Sequence, residues 1–165
     1  MDTMNATMTP LALRVDLQAG AARRGRTMRV LVADDEEPVR ELMARVLARG
    51  GWDVVAVRDG AEAVEVESGG NQPFDVVILD MAMPRKNGVQ AYREIARHNS
   101  ASRFLFTSAY YESGLLNEVL REGRSTFLPK PFLPGCILEE VQSLVEREVV
   151  QVAPEAPTTL PILFN

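Results

Sequence analysis

The apolar residues of this chain alternate between short runs and longer stretches with a helical period. Five runs are rich in β-branched or aromatic side chains, and several are apolar nearly throughout: Arg29–Ala33, Asp53–Val57, Phe74–Leu79, Arg103–Thr107 and Ser125–Leu128. Strands of a parallel sheet have this character when helices cover both of its faces. The runs therefore predict five buried strands.

Helical repeats lie between these strands. In Pro38–Arg49 the apolar residues recur at i, i+3, i+4, i+7 and i+8, the proline suits a first turn, and two glycines follow the last turn. Four further helices are predicted at Ala61–Glu67, Val89–Arg97, Leu115–Leu120 and Ile137–Val145. Five strand-then-helix units predict an α/β fold with a doubly wound parallel sheet.

The two ends of the chain lack this alternation. Residues 1–27 carry no sustained period and are interpreted as an N-terminal extension or linker. The stretch 149–165 contains three prolines and is expected to be a flexible tail. The folded domain is therefore predicted to span residues 28–148.

Composition narrows the possible partners and the location. A net charge of −5 with 25% charged residues gives no basic face for nucleic acid. A single cysteine, Cys136, excludes an intramolecular disulfide and fits a reducing compartment. No apolar run approaches membrane-spanning length. We therefore expect a cytoplasmic protein that binds neither membrane nor nucleic acid directly.

Polar residues follow the predicted strands at the edge where an open parallel sheet binds its ligands. Carboxylates follow the first and third strands, hydroxyls the fourth, and an ammonium the fifth: Asp34, Asp35, Asp80, Thr107, Ser108 and Lys130. Clustered carboxylates repel one another unless a cation lies among them, and hard oxygen ligands suit Mg²⁺. A carboxylate can also attack phosphorus to form an acyl phosphate, whose charge a lysine and a hydroxyl would stabilise.

Four segments carry a resemblance to a known family. The stretches VLVADDEEPVRELMARVL, VVILDMAMPRKNG, FTSAY and FLPKPF closely resemble the receiver domains of bacterial two-component response regulators, in the correct order and over roughly residues 28–148. The resemblance implies a flavodoxin-like sheet with strand order 2-1-3-4-5.

The resemblance also implies a role for each polar residue of the edge. Asp80 matches the phosphoacceptor, and Asp34 and Asp35 match the acidic pair that binds metal. Mg²⁺ would be ligated by Asp35, Asp80 and the backbone carbonyl of Ala82. Lys130 would pair with the phosphoryl group.

Three further residues are assigned by the same resemblance. Ser108, which precedes the small Ala109, matches the switch hydroxyl, with Thr107 as the alternative. Pro131 is expected to follow a cis peptide bond. Phe127 occupies the position of the switch aromatic, where many relatives carry Tyr, so any switching would depend on its burial alone.

The implied function is phosphoryl transfer from a histidine kinase or phosphotransfer protein, which changes a surface that binds a downstream effector. That surface comprises the fourth helix, fifth strand and fifth helix, and the sequence leaves open whether it also forms a homodimer. Arg124 departs from the small residue usual there, which affects the expected charge of this face. Tyr110 is expected to shield the acyl phosphate from water.

Other functions are less well supported by the residues. The chain could instead be the terminal receiver of a hybrid histidine kinase, with residues 1–27 as linker. An Asp-nucleophile phosphohydrolase would carry a second Asp where Ala82 stands. A flavin-binding module would carry a Ser/Thr/Gly-rich loop after the first strand, and an inactive receiver would lack part of the acidic set. The leading interpretation is a phosphoacceptor rather than an enzyme.

Overall fold

The computed structural model describes residues 22–23, 26–70, 72–109, 114–121 and 123–147. A short antiparallel pair comes first, β1 (Ala22–Arg23) and β2 (Arg26–Thr27). The main sheet follows, with strands β3 (Arg29–Ala33), β4 (Asp53–Val57), β5 (Val76–Asp80), β6 (Arg103–Ser108) and β7 (Ser125–Pro129). The helices are α1 (Glu37–Arg49), α2 (Gly60–Gly69), α3 (Gly88–His98), α4 (Gly114–Leu120) and α5 (Pro134–Glu146).

The main sheet is parallel, in the order β4-β3-β5-β6-β7. Counted from its first strand, this is the predicted order 2-1-3-4-5, and the doubly wound α/β fold is confirmed. Every residue of β5 is buried, because this strand lies at the centre of the sheet with helices on both faces.

Alternate residues along each strand fill two separate cores. Side chains such as Val32, Ile78 and Leu105 pack with α1 and α5. Their neighbours in sequence, such as Leu79 and Phe106, pack on the other face with α2, α3 and α4. Because strand residues alternate with period two, the face on which a residue at a strand end lies can be read from its neighbours.

Two expectations from the sequence need correction. The third strand begins at Val76 rather than Phe74 and continues through Asp80, so Asp80 belongs to the sheet and its backbone is held by β6. Phe74 is buried ahead of the strand, with the guanidinium of Arg29 4.3 Å from its ring centre. Leu42, part of the apolar repeat of α1, is 36% exposed because it lies at the margin of the buried stripe.

The segment before β3 is tied to the sheet, a feature that the sequence did not predict. The guanidinium of Arg26 makes bonds of 2.9 and 2.6 Å to the two carboxylate oxygens of Asp75. The backbone NH of Arg29 also donates to Asp75, at 2.8 Å. Residues 26–27 are therefore anchored to the folded part. The predicted limits 28 and 148 stay predictions, and the tail 149–165 lies outside the described residues.

None of the helices in the described ranges has the length and apolar character needed to cross a membrane.

We expect Gly60→Ala to lower the free energy of unfolding by about 1–3 kcal/mol, the usual cost of forcing a group into packed space. A Cβ at Gly60 would lie 2.4 Å from the carbonyl oxygen of Lys86. Gly69, at the other end of α2, has no atom within 4 Å of such a Cβ. Gly69→Ala should be neutral or slightly stabilising. Urea unfolding of the two variants measures the contrast, and equal midpoints would contradict the predicted close approach.

Candidate functional site

The carboxyl ends of three strands bring the predicted site residues together. Ala33 and Leu79 are partners in the parallel register, so Asp34 and Asp80 lie side by side one residue further on. Lys130 follows β7 directly, at the same edge. The convergence predicted from the sequence is therefore observed.

Lys130 forms the centre of the site. Its ammonium nitrogen lies 2.8 Å from Oδ2 of Asp34 and 2.9 Å from Oδ1 of Asp80. A third contact, 3.0 Å, reaches Oε1 of Glu36. The Lys130 side chain is only 12% exposed. The ammonium is thus in ion-pair contact with three carboxylates.

Backbone NH groups bind the other oxygens of the two aspartates. The NH of Glu36 donates to Oδ1 of Asp34 at 2.9 Å, and the NH of Ala82 donates to Oδ2 of Asp80 at 3.0 Å. Asp34 is 0% and Asp80 is 4% exposed. Buried carboxylates are tolerated only with such partners.

Burial and charge act in opposite directions on the titration of this cluster. Burial raises the pKa of Asp34, and the hydrogen bond and charge of Lys130 offset only part of that effect. Burial would lower the pKa of Lys130, but its hydrogen bonds to Asp34, Asp80 and Glu36 outweigh it and hold that pKa above the usual value. Lys130 is therefore an ammonium at neutral pH. The two buried carboxylates still exceed it by one negative charge, so the site favours a further cation.

A cavity of about 200 Å³ opens beside this cluster. It is lined by Asp35, Glu36, Asp80, Ala82, Ser108, Ala109 and Lys130. Asp35 is exposed at its rim, and Asp34 does not line it. Within the described ranges no group of three acidic, histidine or cysteine side chains is arranged to hold a metal ion by itself. The donor set of Asp35, Asp80 and the Ala82 carbonyl nevertheless fits Mg²⁺, which uses one or two carboxylates and keeps several waters.

The loop after Asp80 is fixed by contacts that the sequence did not reveal. Arg85 has a φ of 61° and binds Asp59 through its guanidinium, with a distance of 2.6 Å from Nε. Asp59 also caps α2 by accepting from the NH groups of Ala61 and Glu62. The Asp59-Gly60 pair is a recognisable helix start, but its partner 26 residues away is not readable from the sequence.

Gly88 allows the same loop to pass close to the phosphoacceptor candidate. A Cβ at Gly88 would lie 2.5 Å from the carbonyl oxygen of Asp80. Asn87 caps α3, and its side chain and that of Gln90 exchange hydrogen bonds with each other's backbone NH. The Asn87-Gly88 dipeptide therefore combines a helix cap with a close backbone contact.

The remaining predicted residues fall at several positions around the site. The Lys130–Pro131 peptide bond is cis, as predicted, and the NH of Lys130 donates to the carbonyl of Ser108 at 2.8 Å. Ser108 lines the cavity, whereas Thr107 is fully buried and does not. Phe127 is half-buried against the core on the α2–α4 face. The roles predicted for these residues stay predictions, and Tyr110 lies outside the described residues.

Arg124 lies at the opposite edge of the sheet, before β7. One guanidinium nitrogen donates to the carbonyl of Ser100 at 3.0 Å, and another is 3.3 Å from the hydroxyl of Tyr92. The guanidinium carbon is 5.8 Å from the ring centre of Tyr92 and 5.7 Å from that of Phe104. The charge of Arg124 is therefore directed toward α3.

Lys130→Met should lower the free energy of unfolding by about 3 kcal/mol at pH 8, because it leaves Asp34 and Asp80 buried without a cation. Burial raises the native-state pKa of Asp34, and without the Lys130 ammonium nothing cationic offsets that rise. The deficit should therefore shrink as the pH falls toward 5, where the native state binds more protons. Lys86→Met is the matched control, since Lys86 forms a partly buried pair with a single carboxylate, that of Glu94. The free energy of unfolding of that variant should fall by less than about 1 kcal/mol. Urea unfolding at both pH values tests this, and a deficit that grows on acidification would contradict it.

Comparison with known proteins is consistent with this geometry. Residues 30–142 match the response regulator receiver domain family. Protein PetR of Rhodobacter capsulatus is 34% identical over 138 residues, which cover 82% of this chain and 57% of PetR. The chain therefore spans little more than half the length of the first of the curated relatives it matches.

Two other relatives differ in size. The chemotaxis protein CheY of Bacillus subtilis is 31% identical over 114 residues, covering 68% of this chain and 93% of that protein. The sensor kinase CckA of Brucella abortus is 31% identical over 121 residues, covering 72% of this chain and 13% of the kinase.

A solved structure shows the same fold. The chain in the CheX–CheY–BeF3–Mg complex from Borrelia burgdorferi superimposes with a TM-score of 0.67 at 26% identity, covering 74% of this chain and 92% of that one. Since the family match covers most of the chain and the sheet order agrees with it, this chain belongs to the response regulator receiver domain family.

Proposed function

We propose that this chain receives a phosphoryl group on Asp80 in a two-component phosphorelay. Members of its family are phosphoacceptor signalling domains. The observation that carries the proposal is the position of Asp80, which ends the central strand between the Lys130 ammonium and the 200 Å³ cavity. Asp80 is thus the buried carboxylate that a phosphodonor entering this cavity would meet.

The proposed reaction is a simple exchange of bonds at phosphorus. A carboxylate oxygen of Asp80 forms a bond to the phosphorus of a donor phosphohistidine, and the phosphorus–nitrogen bond of the donor breaks. Negative charge spreads over the phosphoryl oxygens, so stabilising this charge is the main task of the site. The Lys130 ammonium, the NH of Ala82 and the hydroxyl of Ser108 would be the donors, since all three residues line the cavity.

Receiver domains generally bind Mg²⁺ at the acidic phosphorylation site. In this chain Asp35, Asp80 and the carbonyl of Ala82 would hold the ion. Asp34 contributes differently, since one of its oxygens accepts from Glu36 and the other contacts Lys130. When bound, the ion would neutralise the excess carboxylate charge and the charge of the phosphoryl oxygens.

The proposed output begins with the Ser108 hydroxyl, which moves toward the phosphoryl group. Phe127 is half-buried, so a change in its burial could follow without any hydroxyl of its own. The face formed by α4, β7 and α5 would then bind an effector protein or a second copy of the chain. The phosphodonor would be a histidine kinase or a phosphotransfer protein, and the location would be the cytoplasm.

A second candidate is the terminal receiver of a hybrid histidine kinase. The match to CckA favours it, because this chain aligns with only 13% of that sensor kinase. The chemistry at Asp80 is the same in both cases. They differ in whether the phosphoryl group comes from a separate kinase or from one joined to the receiver.

Incubation with acetyl phosphate and Mg²⁺ tests the proposal, with intact-protein mass as the readout. Wild type should gain one phosphoryl group, and Asp80→Asn should gain none. Asp35→Asn should lose most of the Mg²⁺-dependent reaction, because it removes one proposed ligand. Asp53→Asn is the matched control, since Asp53 is an exposed aspartate paired with Arg29 at the other edge of the sheet. It should react like wild type, and phosphorylation that persists in Asp80→Asn would contradict the assignment.

A further inference from the structure

The two adjacent hydroxyl residues at the end of β6 are not equivalent. We propose that Thr107 is a second, buried hydroxyl of the site, which donates a hydrogen bond to the side chain of Asp80 once it is phosphorylated. This inference rests on the proposed function. It assigns Thr107 a role in addition to the switch hydroxyl Ser108, rather than as a substitute for it.

The register of the sheet places Thr107 beside Asp80. The two residues are direct partners in the parallel pairing of β5 and β6. Residues paired in this way lie about 4.8 Å apart and project to the same face of the sheet. Ile78 and Leu105, each two residues earlier, both pack with α1 and α5. Thr107 and Asp80 therefore share that face.

The Lys130 side chain reaches Asp80 by passing over the end of β6, where Thr107 lies. Strand β6 lies between β5 and β7 in the sheet. The Lys130 ammonium is nevertheless 2.9 Å from Asp80 and 2.8 Å from Asp34, so the side chain must cross the end of β6. Thr107 thus lies beneath the lysine stem, in the row that contains both aspartates. Ser108 projects to the opposite face and lines the open cavity.

The hydroxyl of Thr107 is unsatisfied in the unphosphorylated protein. The residue is 0% exposed, and its Oγ1 has no hydrogen-bond partner among the described residues. A buried polar group left in this way is costly and requires an explanation. If the residue served only to fill space, valine would have the same shape without that cost.

Phosphorylation would supply the missing partner. In the unphosphorylated state one Asp80 oxygen contacts the Lys130 ammonium, the other accepts from the NH of Ala82, and neither is bonded to Thr107. When a phosphoryl group is attached, these donors can turn to its oxygens, because they carry most of the negative charge. The acyl oxygen of Asp80 is then available to the neighbouring Thr107 hydroxyl. The bond would form only in the phosphorylated state and would favour that state.

The test measures binding of beryllium fluoride with Mg²⁺, a noncovalent mimic of the phosphoryl group, by calorimetry. Thr107→Val should weaken binding about fivefold, the factor of one ordinary hydrogen bond. Its urea midpoint without ligand should stay equal or rise, because the unmade bond has been removed. Thr107→Ser should bind as tightly as wild type, because it keeps the hydroxyl. It should be less stable, because it lacks the buried methyl group of threonine. Thr126→Val is the matched control, since Thr126 lies on β7 and pairs with Glu140.

Each outcome bears on the inference. Weaker binding in Thr107→Val at equal or higher stability, with binding restored in Thr107→Ser, supports it. Unchanged binding in Thr107→Val overturns it, as does binding that simply follows stability across the series. Asp80→Asn separates the two proposals. If that variant loses binding while Thr107→Val keeps it, the Thr107 role fails and Asp80 remains the phosphoacceptor. A wild type that does not bind overturns both.

Discussion

The contact between the Lys130 ammonium and the two buried aspartates is the constraint on which the rest of the site depends. Asp34 and Asp80 could not both remain ionised in the protein interior without a cation, since desolvation alone disfavours the charged form. One lysine reaches both because their strands are neighbours in register and the lysine follows β7, two places from β5 and three from β3. It leaves one negative charge uncompensated. The resting site is therefore held together by a cation and still favours another, which is the electrostatic state expected of a Mg²⁺-dependent phosphoacceptor.

The residues of the site lie on both faces of the parallel sheet. Asp34, Asp80 and Thr107 lie on the face that packs with α1 and α5, and Asp80 also lines the open cavity at the strand ends. Ser108 lies on the opposite face, which packs with α2, α3 and α4, and lines the same cavity as Asp80. Phosphorylation of Asp80 could therefore alter contacts on both faces of the sheet, through Thr107 on one face and Ser108 on the other. The two hydroxyl residues face opposite sides simply because consecutive residues of a strand alternate between the faces of the sheet.

Much of this arrangement could be predicted from the sequence. Apolar runs indicate strands because burial on both faces removes the need for polar residues, and the residues after those runs must meet at one edge. Two ion pairs could not be predicted, Arg85 with Asp59 and Arg26 with Asp75. Such pairs join residues far apart in the chain and leave no periodic pattern in the sequence. The exposure of Leu42 was also unpredictable, since the width of a buried stripe depends on how the neighbouring helix packs. The unsatisfied hydroxyl of Thr107 is visible only in three dimensions, because it concerns a missing partner.

Arg124 illustrates how position in the fold changes the meaning of a departure from the family pattern. In the sequence it suggests a new charge on the face of α4, β7 and α5. In the structure it precedes β7, donates to the Ser100 carbonyl and lies near the rings of Tyr92 and Phe104. A guanidinium can stack on aromatic faces and bond to a carbonyl at the same time, which a lysine does less well. Its charge is thus used at the edge opposite the proposed phosphorylation site. Asp80 ends β5, so the reaction proposed there lies at the other end of the sheet from Arg124.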